Sequence, residues 1–240
     1  MSALTVCHLG FTPYREGLRL QEALVSARAE GRTGDWLLFP DHPPVLTIGR
    51  GASPGGLIAD RTTLESRRIE IFEVARGGDI TWHGPGQLVG YVVCDLALRE
   101  RDLHRFLRAQ EEALMDVLRG YGIESTRVPG RTGVWVAERK IASLGIAVRR
   151  WVSYHGFALN VEPDLSQFEM IHPCGLRGVR MTSIAEMLGA KAPALAEVRE
   201  RTADAVARRL GHGEIRWASR EEAMEAAREA GTAVAARMIS

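Results

Sequence analysis

Residues 133–161, GVWVAERKIASLGIAVRRWVSYHGFALNV, decide the fold class. β-Branched and aromatic side chains alternate with small or polar ones through this stretch, and the segment reads as three successive strands joined by tight turns. Working outward, residues 102–121 predict a helix with Leu103, Phe106, Leu107, Ala113, Leu114, Val117 and Leu118 on one face. Residues 13–32 predict another, with Pro13 at its start and Gly31 near its end. Strands are expected near 4–9, at 69–75 and 88–96, and as two short pieces within 35–50, split by a His-Pro-Pro turn. A short helix is expected near 60–68, with further helices at about 181–188, 193–210 and 220–236. Strands that neighbour strands, with helices set between the groups, argue for an α+β chain with a largely antiparallel or mixed sheet, not a doubly wound one. Residues 1–212 are read as one domain and 213–240 as a C-terminal helical extension.

Composition narrows the function classes. The 240 residues are 45% apolar and 25% charged, as in ordinary globular proteins, and the net charge is only +1. That balance gives no reason to expect a nucleic-acid or membrane partner through bulk electrostatics. No apolar run approaches a membrane span, and the first residues lack the basic start and apolar stretch of a signal peptide. Three cysteines without metal spacing suit free thiols in a reducing cytosol. Of the 31 basic residues only Lys140 and Lys191 are lysines. Arginine keeps its proton, whereas a buried lysine can lose one, so a position that stays lysine in so arginine-rich a chain is a candidate base.

The chemistry-bearing stretches are few. RGGDITWHGPGQLVGY, residues 76–91, places Arg76 before Gly77 and Gly78, where backbone can approach a ligand closely. Asp79 follows, and Ile80, Thr81, Trp82 and His83 then alternate as a strand with one polar face; a glycine-rich hairpin with a core tryptophan explains the same residues. Lys140 leads an apolar strand containing Ser143, Leu144 and Gly145, and either faces a low-dielectric site or ends a turn in water. His155 sits beside Gly156, Phe157 and Ala158, and serves either as a structural residue or at a ligand. In IHPCGL, Pro173 and Gly175 flank Cys174, a turn that can aim a thiol; Cys7 and Cys94 lie within apolar strands and read as core filler.

RGGDITWHGPGQLVGY, KIASLGIAV, HGFALNV and IHPCGL together resemble the lipoyl(octanoyl) transferases, over about residues 10–190. The resemblance implies a fold like the catalytic modules of biotin and lipoate protein ligases, a mixed sheet flanked by helices with a smaller second sheet. It implies transfer of an octanoyl group from acyl carrier protein to a lysine of lipoyl domains, those of 2-oxo acid dehydrogenases and of the glycine cleavage H protein, with no cofactor. The nucleophile would be Cys174 and its partner Lys140. The acyl chain would be held by residues 76–83, by Ser143, Leu144 and Gly145, and by Gly156, Phe157 and Ala158, with Trp82, Leu144 and Phe157 as walls. An acidic carrier would dock on basic residues, with Arg149, Arg150, Arg177 and Arg180 as candidates. The alternatives are an ATP-dependent lipoate or biotin ligase of the same fold, a lipoyl-binding module without turnover, and a Cys–His thioester hydrolase.

Overall fold

The computed structural model describes residues 3–172 and 178–237. In chain order the elements are β1 (Ala3–Phe11), α1 (Tyr14–Ala29), β2 (Asp35–Asp41), β3 (Val45–Ile48), α2 (Arg61–Ser66), β4 (Glu70–Glu73), β5 (Ile80–His83), β6 (Gln87–Val93), α3 (Leu103–Gly120), β7 (Thr126–Val128), β8 (Arg131–Val136), β9 (Arg139–Arg149), β10 (Val152–Asn160), β11 (Arg180–Met181), α4 (Ile184–Leu188), α5 (Leu195–Arg209), β12 (Glu214–Ala218) and α6 (Arg220–Arg237). Among the described residues, the large sheet runs β12-β1-β2-β6-β10-β9-β8-β7, with β11 beside β9, and a small sheet runs β4-β3-β5. β1 pairs in parallel with β12 and β2, while β2, β6, β10, β9 and β8 pair antiparallel in turn. This is the mixed sheet that the strand order predicts, with the smaller companion sheet that the resemblance implies.

The central strands are buried on both faces, so their side chains alternate between two cores. Val6, Leu37, Phe39, Val92, Phe157 and Leu159 join α3 and α5 on one side. Cys7, Trp36, Leu38, Tyr91, Val93 and Ala158 join α1 on the other, where α6 packs against α1. α3 begins at an Asp102 cap whose side chain accepts from Arg105 N, and buries Phe106, Ala113, Leu114, Val117 and Leu118. Each such large aliphatic or aromatic side chain contributes about 1.5–3 kcal/mol on full burial.

The two strands expected within 35–50 are present, and they belong to different sheets, because the Pro43–Pro44 turn cannot donate to a ladder and redirects the chain. Two expectations are corrected. The chain beyond residue 212 is not purely helical, since β12 forms an edge strand beside β1. α6 is anchored too: Ala223 is fully buried, and Arg220 Nη1 donates to the Leu9 and Phe11 carbonyls. The helix expected from 181 starts at Ile184, where Ser183 Oγ accepts from Glu186 N, and the preceding residues are drawn into β11.

The two sheets meet at a buried cluster of Tyr14, His42, His83, Tyr91 and His155. His42 Nδ1 donates to the Thr12 carbonyl (2.6 Å), and its Nε2 accepts from the Tyr91 hydroxyl (2.6 Å). Burial pushes all three imidazoles down, His42 to about 4 and His83 and His155 to about 3, with the Arg76 charge adding to the effect on His83 and His155. These folded values lie below the ordinary value, so the unfolded chain binds more protons once pH falls below about 6.5. Stability is fully present above that pH and is lost as pH falls towards 4, by about 1.4 kcal/mol per histidine per pH unit. Urea midpoints measured from pH 7.5 to 4.5 are expected to drop steeply below about 6.5. A flat profile between pH 7 and 5 would show that these rings are not held neutral.

Candidate active site

A cavity of about 500 Å³ is lined by β9 and β10, by the segment from Arg76, and by residues 129–132 leading into β8. Lys140, Ser143, Leu144 and Gly145 from β9 line it, as do Gly156, Phe157 and Ala158 from β10. Arg76, Gly78, Asp79, Ile80, Thr81 and His83 line the facing wall. The close approach of the two walls requires a glycine: a Cβ on Gly145 would stand 2.6 Å from the Gly77 carbonyl oxygen. Gly77 itself lies behind the wall, its N–H donating to the Ile146 carbonyl (2.8 Å).

Lys140 is 2% exposed. Its Nζ donates to the Thr132 carbonyl (2.8 Å) and lies 5.6 Å from the centroid of the Trp135 ring. The strand position is fixed from the other side, where Met181 of β11 pairs with Lys140 and Thr182 N donates to the Lys140 carbonyl (2.9 Å). From Thr182 a chain of hydrogen bonds returns to the cavity. Asn160 Nδ2 donates to the Thr182 carbonyl (3.0 Å), Gln87 Nε2 to Asn160 Oδ1 (3.0 Å), and His83 Nδ1 to Gln87 Oε1 (2.7 Å). The neutral His83 therefore keeps Nε2 as an acceptor.

Arg76 does not present a free fork. Nη1 donates to the Gly77 and Asp79 carbonyls, and Nη2 to the carbonyl and hydroxyl of Thr47, so the guanidinium ties the glycine loop to β3. Asp79 also works locally, its Oδ1 accepting from Ile80 N (2.6 Å). Trp82 is not a wall of the cavity; period-2 alternation turns it the other way, into a cluster with Leu46, Ile80 and Phe168 under the small sheet. Cys174 and Arg177 lie outside the described residues. Arg180 pairs with Arg139 beside Lys140, whereas Arg149 stands at the far end of β9, donating to Glu22 O and Ser26 Oγ of α1.

Several lining residues carry no sequence signal of their own. Tyr14 and Tyr91 look like core aromatics in amphipathic patterns, and Thr132 contributes its backbone. The Pro129–Gly130 pair was a readable turn signal, but only the fold brings it to Lys140. His155 lines the cavity with a left-handed backbone (φ 58°), held by Gln21 Oε1 accepting from its N–H (2.7 Å), and among the described residues its buried Nε2 has no partner.

The two other cysteines are buried, with burial pushing the Cys7 thiol up to about 11 and that of Cys94 well above its ordinary value. Cys94 is more than filler: its Sγ donates to the buried Asp35 Oδ2 (3.0 Å). Asp35, Cys94 and His212 converge closely enough to suggest a cation, but a guanidinium already fills that role. Arg99 Nη2 donates to both Asp35 Oδ2 (3.2 Å) and His212 Nε2 (2.8 Å), and Arg28 Nε to Asp35 Oδ1 (2.7 Å).

Comparison with known proteins bears on the family and the fold. The lipoyl protein ligase A/B catalytic domain matches residues 13–207. An octanoyltransferase of Solibacter usitatus is 49% identical over 80% of this chain and 86% of its own. One from Geobacter sulfurreducens is 46% identical over 78% and 76%. Among solved structures, lipoate-protein ligase A bound with ATP superposes with a TM-score of 0.73 at 21% identity, covering 95% of this chain and 94% of its own. The bi-partite lipoate protein ligase of Thermoplasma acidophilum gives 0.69 at 18% identity, covering 95% and 91%. At those identities the structures establish the shared fold, while the sequence matches establish kinship. The chain belongs to the lipoyl protein ligase A/B catalytic-domain family, among its octanoyltransferases, and is an acyltransferase.

Proposed function

We propose that the chain moves an octanoyl group from acyl carrier protein to a lysine of lipoyl domains in the cytoplasm, through a thioester on Cys174. The observation that carries this reading is an amine, Lys140 Nζ, held on a backbone carbonyl at the wall of a cavity with apolar lining from Leu144, Phe157 and Ala158. A thiolate attacking a thioester forms one C–S bond and breaks another of similar energy, so the first step needs no ATP. The carrier's thiolate leaves and is protonated. In the second step the acceptor amine attacks the acyl-Cys174 carbonyl, forms an amide, loses its proton and expels the cysteine sulfur, which runs downhill. An ordinary cysteine is mostly protonated at neutral pH, with a pKa of about 8.5. Lys140 lowers that value as an ammonium, or removes the proton as an amine. Burying the chain offers about 0.8 kcal/mol per methylene for positioning.

Incubating the protein with octanoyl carrier protein and no acceptor is expected to add one octanoyl mass, lost in Cys174→Ser. Absence of a Cys174-dependent adduct would defeat the intermediate, and pyrophosphate release from ATP with free octanoate would identify a ligase instead. Lys140→Arg keeps a positive charge but cannot give up a proton. Its single-turnover transfer rate is expected to fall at least about 100-fold, the scale of a lost acid–base catalyst. Near-normal turnover in that variant would assign Lys140 the ammonium role alone.

A further inference from the structure

α3 carries a carboxylate on its buried face. Glu111 is fully buried, where an apolar residue would complete the stripe made by Phe106, Leu114 and Leu118. Burying a carboxylate costs several kcal/mol unless its oxygens find good partners. One oxygen, Oε2, accepts from Arg108 Nη1 (2.5 Å) on the preceding turn. The other, Oε1, accepts from the backbone N–H of Gly133 (2.8 Å). That N–H belongs to the same peptide group as the Thr132 carbonyl, which accepts from Lys140 Nζ (2.8 Å). A trans peptide points its N–H and C=O in opposite directions. The carboxylate therefore sits at the positive end of one peptide dipole and the amine at its negative end.

The local backbone is arranged for this bridge. Gly133 has φ 132°, a conformation that side chains disfavour, and a Cβ there would collide with Lys140 Cε and the Ala142 carbonyl and stand 3.0 Å from Lys140 Nζ. The pairing of β8 with β9 shifts register just after it, between Val134 and Trp135. We propose that Glu111 is a positioning residue for Lys140, acting through the Thr132–Gly133 peptide: it fixes the carbonyl that receives Nζ, and its charge polarises that carbonyl in favour of the ammonium form. Hydrogen bonds in series strengthen one another in this sense. The relevance to transfer rests on the proposed role of Lys140; the bridge itself does not.

Among the described residues, other charged and polar groups stand near Lys140. Arg131 of β8 lies over the same Trp135 ring as Lys140. Arg139 of β9 pairs with Glu186 of α4 (2.7 Å), Arg180 of β11 runs beside Arg139, and α3 contributes Arg108 with Glu111. Across the cavity stand Arg76, Asp79, His83 and His155.

The chain has only two lysines, so side-chain NMR of protein labelled at lysine Cε reads Lys140 directly, with Lys191 as internal standard. Glu111→Gln keeps an acceptor oxygen and removes the charge. Its Lys140 midpoint is expected to fall by about one pH unit, at the low end of what a neighbouring opposite charge produces, while Lys191 stays put. Arg108→Gln, at a half-exposed site, removes a positive charge and is expected to move the Lys140 midpoint up. An unchanged Lys140 midpoint in Glu111→Gln, whatever its melting temperature, overturns the proposal. So does a midpoint that stays or falls in Arg108→Gln, which covers the case in which the first variant does not fold. The pH–rate limb that depends on Lys140 is expected to move to lower pH with the midpoint. A midpoint that moves while the limb stays leaves the bridge standing and removes Lys140 from the proton-transfer role.

Discussion

Taking a lysine amine out of water is unfavourable unless oxygen atoms replace its hydration shell and the surroundings hold them in place. Much of the architecture around the cavity answers that demand. The Thr132 carbonyl supplies one oxygen, the Trp135 ring supplies a π face, and the small strand β11 locks the backbone of Lys140 from the opposite edge. Each support comes from a different part of the chain, and only the order β10-β9-β8 in the large sheet brings them together.

The far part of the cavity is built on the opposite principle. His83 and His155 are kept neutral by burial and by the nearby Arg76 charge, and the phenols of Tyr14 and Tyr91 are pushed up by burial, so none of these four rings sets a charge against an aliphatic chain. Arg76 exerts this influence without touching a ligand through a free fork, because its guanidinium is engaged with Thr47 and the glycine loop. The cavity thus combines a cationic wall with a neutral floor, held in register by the Asn160–Gln87–His83 hydrogen bonds.

Most of the fold was legible because alternation is a local property: β8, β9 and β10 each announce themselves within the residues they use. Membership of a sheet is not local, which is why β2 and β3 were found but their assignment to separate sheets was not. β12 offers only Ile215 and Trp217 as an alternating pair, too short a pattern to stand out beside the alanine-rich helix that follows. The cavity residues in unusual motifs, Arg76 to His83 and Lys140 to Gly145, could be singled out, whereas Tyr14, Tyr91 and Glu111 could not. Their side chains matter through distances that cross the sheet, and composition carries no trace of such distances. Cys94 shows the same limit, since its bond to Asp35 joins residues 59 positions apart in the sequence.

β1 takes one neighbour, β2, from the chain just after it, and the other, β12, from near residue 214. During synthesis the first strand is therefore made early and completed late. Until the ribosome has released residues 214–218, one row of its amide and carbonyl groups has no protein partner and is open to pairing with any other exposed strand. That edge is still open during the interval in which the strands that line the cavity have already emerged.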